Sequence, residues 1–400
     1  MAQHPPIMAS GTATIPASPV KMARGALLTL LLFCVGHFVI DLYSSALGVF
    51  QPLLEDRYGL NFTQAGILGG LLVFSSSVMQ PVYGYLSDRF HSHLFSALAP
   101  AVAAIFISGL GWAPGYKALL CMVFLGGAGI ASFHPQAASN ATARIEAHRG
   151  RAMAVFISAG TLGLALGPAF FSLLTSHRGL SGALWGAIPG VLLTLSLLLW
   201  MPPLAYRVRS REHLDWSSLR AVWKPLALLY LLVVIRSVVQ ITFTQFLPLY
   251  LHKEREYSLS RASLTLSLYL LGGALGGLAG GTLADRFGGR RIIIFSMIGS
   301  VPMLALFLFT KGALSAAGLF LGGLILLFTI PINVVMAQDL VPAQAGIVSA
   351  LMMGFGWGIA GLIFIPLTGW VADLLSMQWA FAGLIAFPLL GFFFALKLPR

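Results

Sequence analysis

Apolar residues fill this chain in long, nearly unbroken runs, not in the alternation of a half-buried strand or the narrow stripe of a surface helix. Turn signals divide them into twelve: residues 25–50, 63–86, 94–112, 116–141, 150–176, 182–200, 223–250, 260–283, 291–310, 313–338, 344–372 and 377–397. A helix that spans a bilayer needs roughly 20 mainly apolar residues. The pattern therefore predicts an all-α membrane protein with twelve transmembrane helices. The longest internal polar stretch, YRVRSREHLDWSSLR (206–220), divides the runs six and six. It predicts a basic cytoplasmic linker over 201–222, with six-helix bundles over 21–200 and 223–400. Residues 1–20 are rich in Pro, Ala, Ser and Thr, lack periodicity and read as a disordered cytoplasmic tail.

Composition agrees with lipid as the solvent. Of 400 residues, 58% are hydrophobic and only 9% are charged, against about 25% charged in a typical soluble domain. The net charge is +12. The cations sit in short loops between apolar runs, which argues for topology and against nucleic acid as a partner. With both termini in the cytoplasm, 16 Lys and Arg face inward, 7 face outward and Arg236 is left inside the membrane. The positive-inside rule selects that orientation, expected here in a bacterial inner membrane. Cys34 and Cys121 both lie in apolar runs, and no disulfide is expected.

The halves repeat. The segment ending GYLSDR (84–89) is echoed by the one ending GTLADR (281–286), and Asp88 and Asp285 stand 197 positions apart. In each copy the glycine (Gly84, Gly281) shares a helix face with the aspartate, followed by Arg89 or Arg286. Glycine permits close helix approach. The Asp can accept hydrogen bonds from a neighbouring helix N-terminus and so latch two helix ends together. The plain alternative is loop charge, but two copies at matching places favour the latch. Repeated six-helix halves suggest a transporter that rocks one half against the other. In helix five, GTLGLALGPAF (160–170) places Gly160, Gly163, Gly167 and Pro168 on a packing surface, with the proline bending the helix.

These motifs resemble the major facilitator superfamily across all twelve segments. The resemblance implies a fold of two pseudo-symmetric six-helix bundles, with helices one, four, seven and ten lining a central cavity. The helix-five pattern resembles that of proton-coupled drug antiporters, although helix four lacks their Arg. FHSH (90–93) replaces the usual Gly and basic residues in the first loop motif, so His91 and His93 can make that latch pH-sensitive. GHFVIDLYSSALGVFQPLL (36–54), GIASFHPQAAS (129–139) and AQDLVPAQAGIVSALMMGFGWGIAGL (337–362) resemble the fosmidomycin resistance protein family, a branch of bacterial exporters. By that resemblance His37, Asp41, His134, Pro135, Gln338, Asp339 and Pro342 occupy motif positions. Gln136 departs from the Glu that usually follows the FHP motif.

Polar residues inside the apolar runs carry the chemistry. An ionised group at the bilayer centre costs about 2.5–3.5 kcal/mol on insertion scales. Asp41 lies roughly 24 Å along the first helix, with His37 one turn before it. They are the expected proton-coupling pair, against a reading of His37 as a packing residue bonded to a backbone carbonyl. The repeat offset carries Asp41 to within two residues of Arg236 on helix seven. An acid and a base at similar depth can form a structural salt bridge or a pair that breaks during transport. Arg236, His134, Gln136, Gln240 and Asn333 are the expected substrate contacts, with Gln245 as a further neutral donor and acceptor. Tyr43, Phe50, Phe243, Phe246 and Trp357 are candidate cavity walls. Asp339, near the end of helix ten, reads as an interfacial charge or helix cap more readily than as a site residue.

The expected function is secondary active transport: proton-coupled export of a small amphiphilic or anionic organic compound, antibiotic-like, by one chain acting as a monomer. An uptake symporter of the same fold uses the same residues. His37, Asp41 and His134 could instead bind a divalent transition metal as cargo, but no thiolate or dense ligand cluster accompanies them. No metal or cofactor is expected. No nucleophile, cofactor loop or metal signature appears, so an enzyme is not expected either.

Overall fold

The computed structural model describes residues 24–90, 92–145, 149–201 and 216–398. The expected tail and most of the linker, with Lys21, His91, Arg207, Arg209, Arg211 and Arg400, lie outside the described residues. Each of the twelve apolar runs is helical: α1 (Gly25–Tyr58), α2 (Phe62–Ser87), α3 (Leu94–Ser108), α4 (Tyr116–Ala141), α5 (Gly150–Thr175), α6 (Leu180–Trp200), α7 (Trp223–Lys253), α8 (Leu259–Phe287), α9 (Gly289–Phe309), α10 (Gly312–Leu340), α11 (Pro342–Leu374) and α12 (Met377–Ala395). Eleven are long and apolar enough to cross a membrane; α3, at 15 residues, is the short one. A short helix, Trp216–Ala221, precedes α7, and Ser218 accepts a hydrogen bond from Gln344 at the start of α11 (2.9 Å).

The helices form two bundles, α1–α6 and α7–α12. The pairing in one repeats in the other: α1 packs on α5 as α7 does on α11, α3 on α4 as α9 on α10, and α2 on α4 as α8 on α10. Between bundles α2 meets α11, α8 meets α5 and α1 meets α7. The first two pairs exchange under the same two-fold relation, and the third maps onto itself. That is the pseudo-symmetric arrangement the repeat predicts.

Small residues set the closest crossings, as expected where lipid supplies no hydrophobic drive between helices. A side chain on Gly163 of α5 would fall on the Phe38 carbonyl of α1, and one on Gly167 would lie 2.5 Å from the Leu42 carbonyl. In the other half Gly272, Gly276 and Gly280 of α8 abut the carbonyls of Phe320, Leu324 and Phe328 on α10, one contact per turn. The loop-motif glycines differ. A Cβ on Gly84 would meet Pro135 at an ordinary 3.5 Å, and one on Gly281 would meet Pro331 at 4.0 Å. Close approach therefore does not require glycine at those two positions in this conformation.

Two helices lose α-geometry where the bundles face each other. Residues Phe74–Val78 in α2 and Leu351–Phe355 in α11 form single π-turns, and the two turns touch. Such turns concentrate at functional positions because they free backbone groups and bend the helix.

Gly163→Val is expected to lower the melting temperature in detergent, corresponding to a loss of at least about 1–3 kcal/mol from overpacking. Gly277 has nothing within 4 Å of its would-be Cβ, so Gly277→Ala is expected to leave the melt unchanged or raise it slightly.

Candidate functional site

The site is built where α1, α4 and α5 meet. Helical periodicity places His37 and Asp41 on one face of α1, and the glycines of α5 let that face approach the α5 backbone. His37 Nδ1 lies 2.8 Å from the Phe156 carbonyl of α5, and the two rings stack at 4.3 Å. A carbonyl oxygen only accepts, so Nδ1 carries a hydrogen and donates it. His37 Nε2 then faces Asp41 Oδ2 at 3.3 Å. From α4, His134 Nε2 reaches Asp41 Oδ1 at 3.5 Å, with its ring edge-on to His37 at 5.1 Å. Ser44 also donates to Oδ1, at 3.4 Å. The three side chains are only 12, 18 and 21% exposed for His37, Asp41 and His134.

This geometry has a chemical consequence. With Nδ1 protonated, a neutral His37 presents its Nε2 lone pair to the carboxylate. That contact is attractive only if a proton sits between the two, as imidazolium facing carboxylate or imidazole facing carboxylic acid. The anticipated backbone bond of His37 and its pairing with Asp41 are thus both present, and the first imposes the protonation of the second.

Gly160 closes the remaining side. A Cβ there would collide with His37 Nε2 and lie 2.6 Å from Asp41 Oδ2. The helix-five glycines therefore do more than tighten a crossing, because Gly160 keeps space in front of the His–Asp contact.

The other candidates separate into groups. Arg236, 5% exposed in the middle of α7, donates to Gln240 Oε1 at 2.7 Å and lies over the Trp357 ring at 5.8 Å. Its Nε has no partner. No ion pair joins it to Asp41 in this structure: among the described residues the ionic partners of Asp41 are the two histidines, and Arg236 has no carboxylate. Asn333 on α10 is fully buried with neither amide atom bonded. The Tyr269 hydroxyl and Gln245 Oε1, also buried in the second bundle, are likewise unpartnered. Gln136 belongs elsewhere. Two residues beyond His134, it turns to the far side of α4 and donates to Ser87 and to the Ser92 carbonyl (2.9 Å), bracing the end of α2. Tyr43 is held by Gly186 and Gly190 (2.7 and 3.0 Å), and Phe50, Phe243 and Phe246 are fully buried packing residues.

The two Gly-x-x-x-Asp-Arg motifs lie at the end of the bundles where the described residues begin and end. The side chain of Asp88 is outside the described residues. Arg89, Asp285 and Arg286 are exposed, and among the described residues Asp285 has no hydrogen bond or ion pair. Asp339 is exposed and shares a surface pocket with Gly288, Arg290 and Arg291, in keeping with an interfacial charge.

At the opposite end the bundles are tied together. Asn61 caps α2 and takes the Gln64 amide, which leaves the amides of Phe62 and Thr63 free. Asp373, at the end of α11, accepts both at 2.8 Å and the Thr63 hydroxyl at 2.5 Å. Lys253 of α7 pairs with Glu55 and with Asp56 (2.7 Å) of α1. Lys253 and Asp56 are 197 positions apart, the repeat offset itself, so they meet across the pseudo-two-fold axis. Ser267 of α8 accepts a hydrogen bond from the Ala169 amide of α5 (3.1 Å). Among the described residues every hydrogen bond or ion pair between the bundles lies in this half of the molecule. Sequence reasoning missed this latch; the Asn61–Gln64 capping box was its visible signal.

A model of the Major Facilitator Superfamily matches residues 33–364 and 257–400. The chain belongs to that superfamily. It is 29% identical over 342 residues to the uncharacterized MFS-type transporter YfnC of Bacillus subtilis, covering 83% of this chain and 84% of that one. It is 24% identical over 354 residues to the fosmidomycin resistance protein of Escherichia coli, covering 86% of each. A bacterial homologue of the human lysosomal transporter Spinster, crystallised inward-facing and occupied, superposes with a TM-score of 0.80 at 15% identity over 92% of this chain and 96% of that one. The protein is thus a multi-pass membrane transporter.

Asp373→Ala is expected to open the Asp373 end, lengthening spin-label distances between the start of α2 and the end of α11. Asp285→Asn, which removes an acceptor idle in this conformation, is expected to enrich the state seen here. Unchanged distance distributions in both variants would reduce both features to surface charge.

Proposed function

We propose that this transporter exports a small organic anion by alternating access, driven by a proton held between His37 and Asp41. The end bearing the termini faces the cytoplasm, a reading supported by the excess of Arg and Lys in its loops. On that reading the arrangement is inward-facing, held outside by Asp373 and Lys253 and, among the described residues, without a hydrogen bond or ion pair between the bundles inside. The site operates in the bacterial inner membrane within a single chain.

The observation that carries the anion reading is Arg236, a buried guanidinium with no carboxylate partner among the described residues. Burying an unpaired ion costs several kcal/mol, and an anionic substrate supplies the missing charge. Its planar donors suit phosphonate, sulfonate or carboxylate oxygens. Tyr269, Gln245 and Asn333 add unsatisfied polar atoms in the same bundle, and Trp357 offers an aromatic face. The relatives include the fosmidomycin resistance protein of Escherichia coli, in keeping with export of a small organic compound.

The proton reading rests on the His37–Asp41 contact in the other bundle. A proton confined there neutralises a carboxylate in the apolar depth. Rocking the bundles changes what faces that pair, and with it the proton's affinity, which is the requirement for coupling. His134 gives the carboxylate a second imidazole partner and a route toward α4.

In proteoliposomes with an imposed pH gradient, Asp41→Asn is expected to keep equilibrium binding of the transported anion and to lose gradient-driven accumulation. Arg236→Gln is expected to weaken binding of anionic compounds by tenfold or more, in line with about 1.5–3 kcal/mol for a hydrogen bond to a charged group, with little effect on neutral ones. Wild-type accumulation by Asp41→Asn would overturn the coupling role.

A further inference from the structure

We propose that His37, Asp41 and His134 form a binding site for a divalent transition-metal ion of borderline softness, with Zn²⁺ as the type case. One ligand atom from each residue lies within 4.8 Å of the other two. Zinc binds imidazole nitrogen and carboxylate oxygen at about 2.0–2.2 Å, so a tetrahedral site has ligand-to-ligand edges of about 3.3–3.6 Å. His37 Nε2 lies 3.3 Å from Asp41 Oδ2 and His134 Nε2 lies 3.5 Å from Oδ1, so each imidazole already stands at such a length from one oxygen of the carboxylate. Bringing both imidazoles and one carboxylate oxygen onto a single ion requires side-chain rotation.

Three further features fit a metal better than chance clustering. The Phe156 carbonyl holds His37 Nδ1, which fixes the tautomer and leaves the Nε2 lone pair directed at the site. Metal-bound histidines are commonly oriented by such an outer bond. On the α5 side Gly160 carries no side chain, where a Cβ would press on both His37 and Asp41 and displace them from the site. The ligands come from two helices, α1 and α4, and the site remains 12–21% exposed, so an ion can enter and a fourth ligand can be water. Two imidazoles with one carboxylate select Zn²⁺ or Co²⁺ over the hard cations Mg²⁺ and Ca²⁺, which take oxygen ligands.

The ion occupies the place of the proton shared by His37 and Asp41. The inference rests on the geometry alone and is independent of the transport reading. A metal held there bridges α1 and α4 and cross-links the two helices within the first bundle.

The test uses tag-free purified protein without a proton gradient. Co²⁺ is added and its visible d–d absorption recorded, and Zn²⁺ binding is measured by calorimetry and by the shift in melting temperature. The expected result is one ion per chain, the intense absorption of four-coordinate Co²⁺, and its displacement by Zn²⁺. His37→Gln and His134→Gln are each expected to weaken binding at least tenfold, while His177→Gln at the surface leaves it unchanged. Each variant is checked by its metal-free melt. A wild-type protein that gives no four-coordinate Co²⁺ spectrum overturns the proposal, as does binding that survives both histidine substitutions. Loss of metal binding in Asp41→Asn with proton-driven transport intact would refute the coupling role of Asp41 and leave the metal site standing.

Discussion

A carbonyl oxygen cannot donate a hydrogen bond, and much of this structure follows from that fact at Phe156. It forces the hydrogen of His37 onto Nδ1 and turns Nε2 toward Asp41. A lone pair facing a carboxylate is repulsive, so the contact must hold a proton or another cation. The glycines of α5 make it possible, because any larger residue at 160 or 163 would push α5 away from α1. Backbone packing, side-chain tautomer and the charge state of a membrane-embedded acid are therefore one problem. They are solved together by the GTLGLALG segment.

The two bundles divide the electrostatic work. The first holds, among the described residues, the only acid placed deep in an apolar helix and surrounds it with two imidazoles. The second holds a guanidinium with an amide and an indole for company and, among the described residues, no countercharge. Two opposite charges at equivalent depths invite the assumption of a salt bridge across the centre, and the structure keeps them apart. Each charge is instead left able to take a mobile partner, which is more useful to a transporter than a pair that neutralises itself. The ties between bundles lie instead at the Asp373 end, made from helix-end amides and exposed ions. Such contacts are weak enough individually to break in a cycle.

The helices were legible because lipid imposes a length and an apolar character that no packing detail can override. The repeat was legible through Asp88 and Asp285, and the His37–Asp41 pair through a four-residue spacing. What α4 contributes was not legible. His134 and Gln136 look equivalent in sequence, yet two residues turn a helix by roughly 200°: one meets Asp41 and the other braces Ser87 and Ser92. Rotation about a helix axis is set by neighbours, and a single sequence does not contain it. The π-turns in α2 and α11 were hidden for the same reason, since they arise where two helices from different bundles press together. Asp373 lay in plain view at a helix end, but the two free amides it serves are 311 and 310 residues away in the chain.

The central claim concerns one proton. The most direct measurement is ¹⁵N nuclear magnetic resonance of histidine-labelled protein, with the His37 signals assigned by their loss in His37→Gln. The account predicts that Nδ1 of His37 carries a hydrogen at every pH at which the protein is folded, and that at neutral pH a further proton is shared between Nε2 and Asp41. A His37 with a bare Nδ1, or with a bare Nε2 facing an ionised Asp41 in metal-free protein, would contradict it.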